Sequence, residues 1–106
     1  MSVYAIEIGE RTIAVFNAAS KREAEGQVLG SAGLAEDLNI LESEEGIPIW
    51  NGADKITVRL ATPIEYNRWQ LSRSMESDET AERIDQNELT HLVWFVSVYD
   101  PTDVDL

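Results

Sequence analysis

The chain has 106 residues and carries 20 acidic side chains against 8 basic ones, a formal net charge of −12. This length fits one domain, and an apolar fraction of 43% provides for a core. The charge argues against direct binding of nucleic acids or anionic membranes, because the few basic residues are scattered along the chain. Without cysteine there is no disulfide, thiolate nucleophile or cysteine–zinc site.

The first 16 residues predict a β-hairpin. Residues 3–8 and 12–16 are rich in strand formers, and the loop Gly9-Glu10 suits a type II′ turn, in which glycine supplies the positive φ. Both faces of this hairpin are apolar, which predicts burial on both sides. The two-residue loop sets two apolar pairs opposite each other: Ile6 with Ile13, and Tyr4 with Val15.

A first helix is predicted over residues 21–29, where Ser20 and Glu23 have the spacing of a capping box. Three glycines follow within or after it, at positions 26, 30 and 33. Leu34-Ala35 stands where a phosphate-binding loop needs Lys-Ser/Thr, so we interpret the glycines as helix termination. Residues 34–38 predict one more helical turn, and residues 39–42 a short strand.

The cleanest strand pattern covers residues 55–61. Ile56, Val58 and Leu60 alternate with polar residues, which predicts one buried and one solvated face. It follows a turn at residues 43–46, an extended segment at 47–50 that ends in Trp50, and the turn Asn51-Gly52.

A second helix begins at Thr62, with Pro63 as its first residue and Glu65 as its third. One side of this helix is predicted to contact the core, through Ile64, Leu71 and Met75. The nearly opposite side carries residue types enriched at binding hot spots, namely Tyr66, Trp69 and Arg73. The alternative is a helix buried on a broader face, with Trp69 packed at its margin.

Residues 76–88 are polar and acidic and predict either a mobile loop or a solvated helix. Residues 91–99 are apolar at nearly every position, as in a strand covered on both faces and central in its sheet. The element order β-β-α-β-β-α-β predicts an α+β fold: one domain over residues 1–100 with a mixed or antiparallel sheet, two helices on one face, and an acidic flexible tail at 101–106.

No catalytic, cofactor or metal site is predicted. His91 is the only histidine, and no G-x-S-x-G motif accompanies it, so we interpret it as a strand-edge residue. A proton-transfer role for His91 with nearby carboxylates is the alternative. Three tail carboxylates, Asp100, Asp103 and Asp105, lack the shaped loop of a calcium site and are predicted to be solvated.

Five segments together resemble a group of small acidic bacterial proteins of uncharacterised function. They are residues 4–8 (YAIEI), 13–18 (IAVFNA), 48–52 (PIWNG), 61–65 (ATPIE) with Trp69, and 100–103 (DPTD). The resemblance implies a bacterial, cytoplasmic protein and carries over no functional residue.

The leading hypothesis is a non-catalytic interaction or regulatory module that binds a basic protein partner, because the chain is strongly acidic and has no catalytic constellation. The candidate surface comprises eight residues: Tyr66, Trp69, Arg73, Glu76, Asp78, Glu79, Glu82 and Trp50. Trp50 precedes the strand predicted at residues 55–61. One alternative is a small hydrolase or ligand-binding domain that uses His91 and carboxylates. The other is a homodimer in which one apolar hairpin face packs against a second copy. A cytoplasmic location is expected, because the first residues lack the pattern of a signal peptide.

Overall fold

A four-stranded antiparallel sheet with helices packed on it forms this molecule, in a computed structural model that describes residues 2–30, 33–43 and 45–98. The predicted α+β class and single domain are confirmed. The elements are β1 (Ser2–Ile8), β2 (Arg11–Ala18), α1 (Lys21–Leu29), α2 (Leu34–Ile40), β3 (Ile56–Leu60), α3 (Pro63–Ser74), α4 (Asp78–Asp85) and β4 (Leu92–Trp94). The sheet order is β3-β1-β2-β4. The predicted tail at 101–106 and the carboxylates of Asp100, Asp103 and Asp105 lie outside the described residues.

The hairpin forms with the predicted turn but not with the predicted register. Gly9 takes a positive φ of 63°, as the type II′ turn requires. A β-bulge then leaves Ile13 without a paired residue, so that Ile6 faces Ala14 and Tyr4 faces Phe16. Because Ile13 and Ala14 both pack into one apolar cluster, the bulge buries two successive side chains on the same side of the sheet.

Helices cover both faces of the sheet, so the prediction that the two expected helices share one face was wrong. One face of the hairpin packs on α1 and α2 through Ala24, Val28 and Leu38. The other face packs on α3 and α4 through Trp69 and Ile84. The physical reason is that both hairpin faces are apolar, and each must be removed from water.

The predicted strand at 39–42 was also wrong. Helix α2 continues to Ile40, and only an isolated bridge between Glu42 and Pro48 remains of a strand. The spacing of Leu34 and Leu38 explains the helix, because residues four apart share a helix face and both side chains pack into the cluster below α1. Among the alternatives for residues 76–88, the structure shows a helix, α4, with Ser77 as its N-cap.

The last strand is shorter and less central than predicted. The strand covers Leu92–Trp94, with one further backbone bond from the Phe95 N–H to the Ile13 oxygen at 2.8 Å, and β4 lies at the end of the sheet opposite β3. The central positions belong to β1 and β2. These two strands pair with each other, so β3 adds to the free edge of β1 and β4 adds to the free edge of β2. No helix within the described ranges is long and apolar enough to cross a membrane.

Candidate functional site

A buried hydrogen-bond network fixes the position of α3 on the sheet. Glu65 completes the predicted capping box: its Oε1 accepts from the Thr62 backbone N–H at 2.8 Å, and its own N–H donates to Thr62 Oγ1 at 3.3 Å. The guanidinium of Arg59 in β3 donates to both carboxylate oxygens, at 2.8 and 3.0 Å, and Thr12 Oγ1 donates to Oε2 at 2.9 Å. One carboxylate therefore ties the start of α3 to β2 and β3.

The same network lowers the pKa of Glu65. The hydrogen bonds from Arg59 reduce it from 4.5 to about 2, assisted by the bonds from Thr62 and Thr12 and opposed by burial. Glu65 is consequently ionised at neutral pH although its side chain is nearly buried. The sequence identified Glu65 only as a helix cap. Its partner Arg59 was one of three polar residues on the predicted solvated face of the strand at 55–61, and nothing in the pattern distinguished it from the other two.

Trp69 belongs to the core. Its exposure is 1%, and its indole Nε1 donates to the backbone oxygen of His91 at 2.8 Å. The prediction that Trp69 stands at the surface was wrong, because α3 turns Glu65, Trp69 and the half-buried Ser72 toward the sheet. Tyr66 lies beside Trp69, with ring centroids 6.0 Å apart, and remains partly exposed.

The predicted core side of α3 faces water instead. Ile64, Leu71 and Met75 are 76%, 67% and 88% exposed. Arg68 lies among them, with its guanidinium carbon 3.9 Å from the centre of the Phe95 ring. We call this row the α3 seam: Ile64, Arg68, Leu71 and Met75.

Four acidic residues follow the C-terminal end of the seam, and we call them the acidic rim: Glu76, Asp78, Glu79 and Glu82. All four are exposed. Asp78 and Glu79 occupy the first turn of α4, where negative charge is favourable to the helix dipole. Glu82 accepts a hydrogen bond from Gln86 at 3.3 Å. The rim therefore places four carboxylates in solvent, beginning with Glu76 directly after Met75 in the chain.

Arg73 joins α3 to α4. Its Nε donates to Asp85 Oδ1 at 2.7 Å, and its Nη2 pairs with Oδ2 of the same carboxylate. This bidentate contact fixes α4, which carries three of the four rim residues, against the side of α3 that bears Arg73. Trp50 lies elsewhere: its Nε1 donates to the Asp54 backbone oxygen at 2.8 Å, and its ring packs on the cluster under α1. The structure thus keeps Tyr66 beside Trp69, links Arg73 to α4, and leaves Trp50 on the other face of the sheet.

His91 lies at the junction of α3 and β4. Its Nε2 is 2.9 Å from Ser72 Oγ, and its Nδ1 is 3.9 Å from Glu76 Oε1. Its backbone N–H donates to Oδ1 of the buried Asn17 at 2.7 Å, and the Trp69 ring meets the imidazole edge to face. The sequence pattern did not indicate the contact with Ser72, because the two residues are joined only through the packing of α3 on the sheet.

Two further features bear on ligands. A mainly apolar cavity of about 180 Å³ opens between α1, α2 and β4, lined by Phe16, Gln27, Val28, Leu34, Thr90 and Leu92. Within the described ranges, no group of three or more histidine or carboxylate side chains is arranged to hold a metal ion.

Comparison of the chain with protein-family models, with curated proteins and with solved structures finds no match.

Proposed function

We propose that this protein is a non-catalytic binding module for a basic protein partner, and that the α3 seam and the acidic rim form its binding surface. The observation that supports the proposal is the exposure of three large apolar side chains in a row on α3. Several large apolar side chains exposed on one face of a helix are typical of an interaction site.

Charge provides the second support. The net charge of −12 attracts a basic partner over a distance of about 8 Å at physiological salt. The rim adds four carboxylates that follow Met75 in the chain, and the combination of apolar with charged residues is characteristic of protein interfaces.

The experiment is an affinity pull-down from a lysate of the native host, performed with a matched pair of variants. The seam variant, Leu71→Ser with Met75→Ser, is compared with Ile47→Ser, which removes an apolar side chain of similar exposure elsewhere. We expect the seam variant to lose the partner and the control to keep it. Retention of every bound protein by the seam variant would contradict the proposal.

The electrostatic part has its own matched pair. Asp78→Asn, Glu79→Gln and Glu82→Gln together remove three charges from the rim, while Glu36→Gln, Asp37→Asn and Glu45→Gln remove three exposed charges elsewhere. We expect the rim variant to associate about tenfold more slowly at low salt, and the control to resemble the wild type. Equal slowing in both variants would mean that only net charge matters.

A second candidate function is supported by the contacts of His91. Ser72 Oγ is within hydrogen-bond distance of the imidazole, the contact that activates a serine nucleophile, while the Glu76 carboxylate is 3.9 Å from Nδ1 and makes no hydrogen bond to it. Ser72 lies inside α3, however, where its own N–H is engaged in the helix and does not serve as an oxyanion donor. Hydrolysis of p-nitrophenyl acetate that disappears in Ser72→Ala would favour this function; equal rates in the two proteins would exclude it.

The homodimer hypothesis loses the observation that motivated it. The two apolar hairpin faces are covered by α1 with α2 and by α3 with α4 of the same chain.

A further inference from the structure

We propose that the partner docks on the α3 seam with a single amphipathic α-helix, whose middle turn carries an acidic residue opposite Arg68 and whose basic residues lie at the end next to Met75. This inference rests on the proposed function and names the chemistry of its partner.

The spacing of the seam favours a helix. Ile64, Arg68, Leu71 and Met75 follow one another at intervals of four, three and four residues. This alternation is the one that lets a second helix lie along the first, with side chains of each inserted between those of the other. The seam spans about 16 Å, the length of three turns of a partner helix.

Arg68 supplies a charge in the middle of this row. The Phe95 ring lies 3.9 Å below its guanidinium carbon and holds it in place. Among the residues that the structure describes, no carboxylate lies within 4.0 Å of Arg68, whereas Arg73 and Arg83 each have one such partner and Arg59 has two. A partner carboxylate opposite Arg68 would form a charge-assisted hydrogen bond with its guanidinium and would fix the register of the two helices.

The two ends of the seam differ in charge. The acidic rim follows Met75, while the nearest acid at the other end, Glu65, is already neutralised by Arg59. Basic residues of the partner are therefore attracted to the end of the seam at Met75. This attraction determines which end of the partner helix carries its basic residues.

A second copy of this chain fits the seam poorly. Parallel packing of two seams would place one acidic rim beside the other, and antiparallel packing would bring the two Arg68 side chains together near the centre. Both arrangements oppose like charges, which is unfavourable at an interface. Charge complementarity therefore selects a different protein as the occupant.

The test uses three synthetic helical peptides of equal length with fluorescent labels. The first has leucines at the seam positions, a central glutamate and lysines at one end. The second has the same leucines with every charge reversed, and the third has the charges of the first but serines in place of the leucines. We expect the first peptide to bind at least tenfold more tightly than either of the others at 50 mM NaCl, with less discrimination at 300 mM. Equal or tighter binding of the charge-reversed peptide would overturn the inference.

A charge swap separates specific docking from general adhesion. Arg68→Glu should weaken binding of the first peptide at least fivefold and should restore binding of a version that carries a central lysine. Ile47→Ser, the exposed control, should change neither affinity. If the peptide with the central lysine does not bind the Arg68→Glu variant, Arg68 does not face the partner and the inference is wrong.

The failure of this inference can be told from the failure of the proposed function. A natural partner that depends on Leu71 and Met75 but contributes an extended segment, shown by nuclear Overhauser contacts, would overturn the helix and leave the function intact. A partner indifferent to both seam residues would remove the function itself.

Discussion

At the scale of single residues, buried polar groups determine the positions of the helices and strands relative to one another. Glu65 joins three elements through one carboxylate, and Asn17 joins β2 to the segment before β4. The Asn17 amide donates to the backbone oxygen of Leu89 at 2.9 Å and accepts from the backbone N–H of His91 at 2.7 Å. In both cases a buried polar group is stable because its hydrogen bonds are made within the protein.

Replacement of Glu65 by Gln is predicted to change stability in a pH-dependent way. At pH 6 we expect a loss of about 2 kcal/mol, because Arg59 keeps its partial burial and loses the nearer of its two carboxylate partners, while Glu7 stays 3.6 Å from its Nε. The pKa of Glu65 is lowered to about 2, so its pairing stabilises the fold fully above pH 4.5 and is lost as the pH falls toward 2.

Urea unfolding of the wild type and E65Q between pH 6 and pH 2 measures this effect. The difference between the two proteins should shrink as the solution is acidified. Glu10→Gln is the control, because it removes an exposed carboxylate from the hairpin turn. A gap between wild type and E65Q that stays constant with pH would contradict the prediction.

Replacement of Asn17 by Ala is predicted to destabilise the fold by about 2–3 kcal/mol. The variant leaves the Leu89 oxygen and the His91 N–H without their partner, and unmet buried backbone groups are costly. Chemical denaturation measures the loss, and faster amide exchange at His91 would locate it. An unchanged free energy of unfolding would show that water replaces the side chain.

At the scale of elements, the break between α1 and α2 depends on close backbone contacts. A Cβ at Gly33 would lie 2.5 Å from the backbone oxygen of Val28, and one at Gly30 would lie 2.3 Å from that of Gly26. Gly26 itself, inside α1, has no such neighbour. The three glycines were interpreted alike from the sequence, yet only two of them are sterically required.

The alanine variants of Gly26 and Gly33 are predicted to have opposite effects. Gly26→Ala should stabilise the protein by up to about 1 kcal/mol, because alanine has the higher helix propensity. Gly33→Ala should destabilise it by about 1–3 kcal/mol, because the backbone of Val28 must move. Thermal unfolding of both variants checks the pair, and the same sign of change in both would refute this account.

At the scale of the whole molecule, negative charge is distributed over a sheet that is covered on both faces. The two apolar clusters contain the interior of β1 and β2, while most carboxylates of the described residues lie on helices and loops around them, with Glu7 in β1 as an exception. Repulsion among these charges opposes the compact state.

Added salt is therefore predicted to raise the thermal stability. We expect the melting temperature to rise by a few degrees between 10 and 300 mM NaCl, because salt shortens the range of repulsion among exposed charges. Calorimetry at constant pH measures the change. A melting temperature that falls with salt would mean that the exposed ion pairs, such as Lys21 with Glu25, contribute more than the net repulsion.

The sequence alone determined the features that depend on neighbouring residues. The hairpin turn at Gly9, the caps at Ser20 and Thr62 and the strand ending at Leu60 were all predictable, because each follows from a few successive side chains. The α+β class followed from the same local signals. The acidic composition also indicated a surface property, although not its position.

Tertiary structure alone decided which side of α3 faces the sheet. Two sides of this helix carry apolar residues, so its periodicity fits either orientation. The choice depends on partners far along the chain: Glu65 with Thr12, 53 residues away, and Trp69 with His91, 22 residues away. Both bonds satisfy polar groups that would otherwise be buried without a partner, and satisfying them turned Ile64, Leu71 and Met75 outward. The α3 seam is therefore a consequence of the folded arrangement, which no local pattern specifies.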